Sequence, residues 1–357
     1  MIRSTTTITL FIAGIAVTPA FAGTVSVNCA SAKIQAAIDT APAGTPLVVN
    51  VTGACLENLT IPYGKQVKLV GQSGSSLKPK DATLPAIVNN GWLTLLKMNV
   101  QSAGSAATLI QTLFGRTEIT ASTIAAPKVT DLLDTSNSAS LRIANSSITG
   151  GAATTVSLAS GATGVIVSDA SLPYNGSPLT TISSGNTTAP AIWCGVTSGV
   201  RLRALAGTVA GVIRLTNSMN GIDASGCTAE IQNKTGVADN VTISGMAQNG
   251  IHARNSRLSF LGARIMSNTT SGVVLVESNL LLVASKIYGS GVNDIAVGYG
   301  SQVLLGWGPT PNALPDVNKA PYDSLACMAN SEISIPTANL VQNIGNNYAA
   351  SGCVKTY

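Results

Sequence analysis

Charge is scarce in this chain. Of its 357 residues only 10% are Asp, Glu, Lys or Arg, 4% are aromatic, and a single histidine occurs. The 20 basic and 15 acidic residues are thinly spread, without a basic run. With so few aromatics interleaved, nucleic acid is excluded as a partner. Beyond the N-terminus no stretch of 18 apolar residues occurs, which excludes a membrane-spanning helix. No CxxC is present, and one histidine is too few for a zinc site, so no metal is assigned. Hydrophobic residues nevertheless make up 45% of the chain, too many for a disordered one. The remainder is rich in Ser, Thr, Asn and Gly, the residues of short strands and tight turns.

Residues 1–22 read as a secretory signal peptide. Arg3 supplies the positive start, Ile8 to Val17 the apolar core, and Ala20-Phe21-Ala22 a small-x-small cleavage site. The expected location is therefore extracellular or periplasmic. All six cysteines follow that segment, an even count that favours disulfides in an oxidising compartment. Cys29 and Cys55, Cys194 and Cys227, and Cys327 and Cys353 form three close pairs, 26, 33 and 26 residues apart. Fifteen connectivities are open to six cysteines, and the nearest-neighbour pairing is the expectation.

A repeat dominates the middle of the chain. Leu95, Ile119, Ile143 and Val167 recur every 24 residues, and Val100, Ile124, Ile148 and Leu172 do so five positions later. Ile87, Ile110, Leu133, Val156 and Leu179 recur every 23. Further on, Ile243, Ile265 and Ile287 recur every 22, as do Ile251, Val273 and Ile295. Within a unit the apolar residues alternate, as in Leu258-x-Phe260 and Leu280-x-Leu282, which is strand spacing with one buried face. Units of 22–24 residues with short strands and no helical pattern predict an all-β fold, a parallel β-helix. Roughly eleven coils, stacked ~4.8 Å apart, would occupy residues 59–307 as one domain. Asn and Ser at the turns can bond to their equivalents above and below.

An open solenoid needs capped ends. Residues 23–58 are read as an N-terminal cap, in which Ser31 starts a short helix with Ile34, Ala37 and Ile38 on one face. Residues 308–357 lose the period and are read as a C-terminal cap stapled by Cys327 and Cys353.

The segments Ile34-Gln35-Ala36-Ala37-Ile38-Asp39, Ala43-Gly44-Thr45, Leu47-Val48-Val49 and Glu57-Asn58-Leu59-Thr60-Ile61 resemble the opening of secreted right-handed β-helix proteins of the pectin-lyase-like superfamily. That resemblance implies a right-handed coil and a polysaccharide partner. It leaves activity open, because lyases, hydrolases, epimerases and non-catalytic proteins share the opening. The hydrolase signature of adjacent aspartates with Gly-His-Gly is missing, and the histidine here reads Gly250-Ile251-His252-Ala253. The esterase and epimerase signatures are missing too. Calcium, the cofactor of pectate lyases, lacks the acidic cluster it would need.

Six of the nine arginines fall between residues 201 and 264. Arg201 and Arg203 alternate with apolar neighbours and should leave one strand on the same side, and Arg257 should also face solvent. Asp223 and His252 hold matching places in Gly221-Ile222-Asp223-Ala224 and Gly250-Ile251-His252-Ala253. On neighbouring coils Asp223 would orient His252 beside Arg254, giving a catalytic set of Asp223, His252 and Arg254. Arg201, Arg203 and Arg257 would bind substrate. Arginine pairs well with carboxylates, and removing a proton beside a uronate carboxylate needs positive charge and a base. Trp92 and Trp307 are further candidates for stacking on sugars, and Asp131 and Asp134 are expected at strand ends. Two readings follow: a lyase-like protein acting by β-elimination on an acidic glycan, or a non-catalytic rod for adhesion or assembly. A groove joining Arg201, Asp223, His252 and Arg254 favours the first, and scatter around the coil favours the second.

Overall fold

The computed structural model describes residues 23–169, 179–205, 211–233, 240–305, 325–328, 330–335 and 354–356. Residues 1–22, read as a signal peptide, and Leu172, Trp307 and Cys353 lie outside the described residues.

Alternating apolar residues make strands with one face to bury, and three such faces close around a common interior. Among the described residues all strand pairs are parallel and fall into sheets of 14, 11 and 10 strands. The chain visits the sheets in a fixed order. Trp92–Leu96 lies in the fourteen-stranded sheet, Asn99–Gln101 in the ten-stranded and Thr108–Thr112 in the eleven-stranded, and Arg116–Thr120 returns to the first. Each circuit is one coil of a parallel β-helix. Core residues stack from coil to coil: Leu258 faces Leu280 and then Val303, and Phe260 faces Leu282 and then Leu305. Ile243, Ile265 and Ile287 form a second ladder, and Ile251, Val273 and Ile295 a third. All of these side chains are buried.

The ladders of the first half differ from the expected spacing after Ile143. That residue pairs with Ile166, not Val167. Ile148 pairs with Ile182 instead of Leu172, and Val156 with Ile192 instead of Leu179. The last two shifts follow chain length: 36 residues separate the partners Gly164 and Val200, where 23 separate Leu141 and Gly164. A period read at 23 or 24 residues loses step there.

The corners carry a second repeat. A residue with positive φ precedes a buried serine in Asn255-Ser256, Glu277-Ser278 and Gly300-Ser301. Ser256 N–H donates to Ser278 Oγ at 3.1 Å, and Ser278 N–H to Ser301 Oγ at 3.0 Å. The Ser278 hydroxyl in turn donates to Val276 O at 2.8 Å. Another corner repeats the device, with Met98 N–H on Ser122 Oγ and Ser122 N–H on Ser146 Oγ. These ladders satisfy backbone groups that a sharp buried corner would otherwise orphan.

The helix forms at Ile34–Thr40, with Ile34 and Ile38 fully buried. Ser31 does not cap it. The Glu57 carboxylate does, accepting from Ile34 N–H at 2.9 Å and Gln35 N–H at 3.1 Å. At the other end Lys65 Nζ donates to the carbonyls of Ile38 and Ala41. An anion at the N-terminus and a cation at the C-terminus complement the helix dipole. Cys29–Cys55 ties the helix entry to the first coil, and Cys194–Cys227 ties the end of strand Ile192–Cys194 to the corner before Thr228–Asn233. Cys327 is also disulfide-bonded. Strands Gly23–Asn28 and Leu47–Thr52 belong to the fourteen-stranded sheet, which continues at its far end through Glu332–Ile335 and Val354–Thr356. No helix among the described residues is long and apolar enough to cross a membrane.

Candidate functional site

Side chains that alternate with the core point outward and line up in rows, one strand apart. On the eleven-stranded sheet one row runs Gln111, Asp134, Ser157, Trp193, Asp223, His252 and Val274. Most of the ring-bearing and titratable groups of that face fall on this row.

Trp193 stands at its centre, between Ser157 and Asp223. The six-membered ring of its indole lies over Gly195, where a Cβ would sit 2.5 Å from Cη2. Glycine at 195 therefore gives the ring room to lie along the strand. The indole is half-buried, between the buried Ile192 and Cys194.

Beside it, Asp223 accepts from Asn220 Nδ2 at 3.3 Å through Oδ2 and faces His252 Nδ1 at 3.3 Å through Oδ1. A proton on Nδ1 directed at the carboxylate leaves the lone pair on Nε2, which has no hydrogen-bond partner among the described residues. Their side chains are 24% and 19% exposed, sheltered enough to hold a geometry and open enough to meet a ligand. Arg254, exposed, follows His252 by two residues on the same strand and therefore leaves the sheet on the same side.

On the other flank of Trp193 lie two carboxylates. Asp131 and Asp134 share strand Asp131–Thr135, with Leu132 and Leu133 both buried between them. Burial pushes the Asp131 carboxyl above its ordinary value, the charge of Asp134 adds to this, and a hydrogen bond from Thr154 opposes it. Burial also raises Asp134, against hydrogen bonds from Gln111 and Ser157. Among the described residues no three His, Cys, Asp or Glu side chains cluster as a metal site.

The structure thus sets Asp223 opposite His252 on neighbouring strands, with Arg254 two residues along the His252 strand, opposite Ser225. It places Arg201, Arg203 and Arg257 elsewhere, on the fourteen-stranded sheet. Arg201 Nε donates to Glu230 Oε2 at 2.5 Å, and that bond holds the guanidinium still more firmly protonated. Arg203 stands beside Gln232, and Arg257 between Thr228 and Asn279. The six residues therefore do not line one groove. Trp92 also lies on the fourteen-stranded sheet, with the Arg116 guanidinium 5.4 Å above its ring. Trp193 escaped the sequence reading because it lies beyond the inserted length that breaks the period. Its signal was the alternation Ile192-Trp193-Cys194, which marks an outward aromatic on a strand.

No family model matches the chain, and no curated protein matches it by sequence. Among solved structures it is similar to an alginate lyase from Paenibacillus sp. str. FPU-7, at 11% identity over 87% of this chain and 97% of that one, with a TM-score of 0.28. It is also similar to the A-module of a mannuronan C-5 epimerase from Azotobacter vinelandii, at 16% identity over 82% of this chain and 94% of that one, with a TM-score of 0.31. At these values the chemistry is read from the side chains themselves.

Proposed function

We propose that this is a secreted protein that holds a polysaccharide chain along the outer row of the eleven-stranded sheet. The observation that carries this is the position of Trp193, a half-buried indole with hydrogen-bonding groups in register on both sides. Successive positions of the row are ~4.8 Å apart, close to the advance of one sugar residue along a glycan. A flat indole gives a sugar ring apolar area at small entropic cost. Ser157, Asp134 and Asp223 supply acceptors for its hydroxyls. Two disulfides and the N-terminal segment support an oxidising, extracytoplasmic location.

At the other end of the row the groups suit β-elimination on a uronate. Arg254 neutralises the sugar carboxylate and so stabilises the enolate-like intermediate. His252 Nε2 takes the proton from the carbon beside that carboxylate, and Asp223 steadies the imidazolium that results. The electron pair of the broken C–H bond forms a carbon–carbon double bond, the glycosidic C–O bond breaks, and the departing oxygen takes up the proton now on the His252 imidazolium, releasing the next sugar as its alcohol. The test measures binding and unsaturated-product formation on polygalacturonate and alginate, with His252→Ala and Arg254→Ala alongside wild type. Turnover lost in both variants supports the mechanism. Binding and turnover unchanged in both would overturn the site.

The scatter of Arg201, Arg203 and Arg257 onto a second sheet favours another reading, a non-catalytic rod for adhesion or assembly. Robust turnover on any glycan rejects it.

A further inference from the structure

Charge is unevenly placed along the row that holds Trp193. Among the described residues the only Lys or Arg on the strands of the eleven-stranded sheet is Arg254, at the His252 end. The acids on those strands are Asp131, Asp134, Asp223 and Asp294, of which Asp294 is buried. Asp223 has His252 beside it. Asp131 and Asp134 form no ion pair among the described residues. The cation nearest to them in sequence, Lys128, stands in the corner before their strand and forms none either. Four strand spacings lie between the strands of Asp134 and Arg254, about 19 Å at ~4.8 Å each. That is more than twice the ~8 Å over which salt screens exposed charges, so Arg254 does not offset the two carboxylates.

Position and hydrogen bonding fix what the acidic end can accept. Asp134 lies in the row itself, between Gln111 and Ser157, and both donate to its carboxylate. Thr154 donates to Asp131. Each carboxylate is held in place, and what it still offers a ligand is acceptor oxygen. The hydroxyls of a neutral sugar can donate to it. A uronate carries hydroxyls too, but its carboxylate would be a third anion beside two that burial already disfavours. At the other end the requirement reverses, because Arg254 is exposed, forms no ion pair among the described residues and calls for an anion.

We propose that the row selects a glycan with sparse uronates: one uronate at Arg254, and uncharged sugar units across Trp193, Ser157 and Asp134. Asp131 and Asp134 set this specificity by excluding further uronates of the same chain from their end. Such specificity rests on the proposed seat of the glycan along this row. It makes polygalacturonate and alginate poorer ligands than a mixed chain, though still able to reach the site at high concentration.

The experiment uses the full chain carrying His252→Ala, so that cleavage does not compete with binding. Calorimetry compares malto- and cello-oligosaccharides of equal length in three forms: neutral, with one terminal glucuronate, and with every unit oxidised to glucuronate. On the better backbone we expect the singly charged form to bind at least about tenfold more tightly than the fully oxidised one. Asp131→Asn with Asp134→Asn should close most of that gap by strengthening the fully oxidised form, and rising salt should narrow it. Arg254→Gln should remove the advantage of the singly charged form over the neutral one. Equal binding of the singly and fully charged forms, a gap unchanged in the double variant, or an advantage that survives Arg254→Gln would each overturn the specificity while leaving the row as the seat of the glycan. No binding of any form, or binding that Trp193→Ala does not weaken, would remove the row itself and the specificity with it. If the double variant lowers the melting temperature, Asp134→Asn alone replaces it, with the same narrowing expected and an unchanged gap counting against the proposal.

Discussion

Asp223 and His252 stand directly opposite each other on neighbouring strands, with Oδ1 3.3 Å from Nδ1. The same carboxylate is steadied by Asn220, so the pair is an oriented unit and not two independent surface groups. Asp223→Asn keeps the size of the side chain and removes its charge, leaving an imidazolium at His252 without its counter-charge. If His252 is the base, turnover on a uronate polymer falls about 100-fold or more while glycan affinity changes little. Initial rates and binding isotherms on the same substrate separate the two. Equal losses in affinity and rate would assign the pair to binding alone.

Trp193 is expected to be the main source of affinity. Removing a central, partly buried indole from a binding surface costs more than about 1.4 kcal/mol, a tenfold change in Kd. Trp193→Ala should therefore weaken polysaccharide binding at least tenfold in affinity electrophoresis or calorimetry. Trp92→Ala, on the other sheet and already covered by Arg116, should leave it unchanged. The reverse result would move the glycan to the fourteen-stranded sheet.

How far such features are legible in sequence depends on where the period holds. Between Ile243 and Leu305 the spacing is almost constant, and every ladder expected there forms. The partnership of Asp223 with His252 was legible for a related reason, since both follow a Gly-Ile pair that marks the same strand position. The coil from Gly164 to Val200 is longer than the one before it, so Leu172 and Leu179 fell on the expected beat, the partners of Ile148 and Val156 were misassigned and Trp193 went unnoticed. Alternation tells that Arg201 and Arg203 point outward but cannot tell which of three sheets they leave. That assignment depends on counting strands through the inserted coil. The helix cap was misread because its partner, Glu57, lies 23 residues away and acts through tertiary contact.

Asp131 and Asp134 should make stability depend on pH in a particular direction. Burial raises both carboxyls above the ordinary value of 3.8, so the folded chain holds those protons more tightly than the unfolded one. Their contribution is fully present below that ordinary value and is lost as pH rises through the raised folded values. Asp131→Asn removes one such group and the repulsion it shares with Asp134. The variant should be more stable than wild type at neutral pH, by about 0.5–1 kcal/mol, and should have little or no advantage near pH 3. Thermal unfolding at the two pH values checks the sign. An advantage that is larger in acid would contradict the burial of these groups.

Glu57 governs the N-terminal cap, and its removal should act locally. Its carboxylate is 6% exposed and takes the N–H groups of Ile34 and Gln35, which have no intrahelical partner. Glu57→Ala leaves these donors unsatisfied in a buried setting, at about 1–3 kcal/mol for the group lost. A solenoid transmits such a loss poorly, because each coil contacts only its neighbours. Ile34–Thr40 would then loosen while the coils around Trp193 keep their stability. Amide exchange should accelerate in the helix and in strand Leu59–Ile61 against which it packs, and stay slow at Phe260 and Leu282. Glu57→Gln retains one carbonyl acceptor and should fall between the two. If exchange rose equally along the whole chain, the cap would be part of a single cooperative unit.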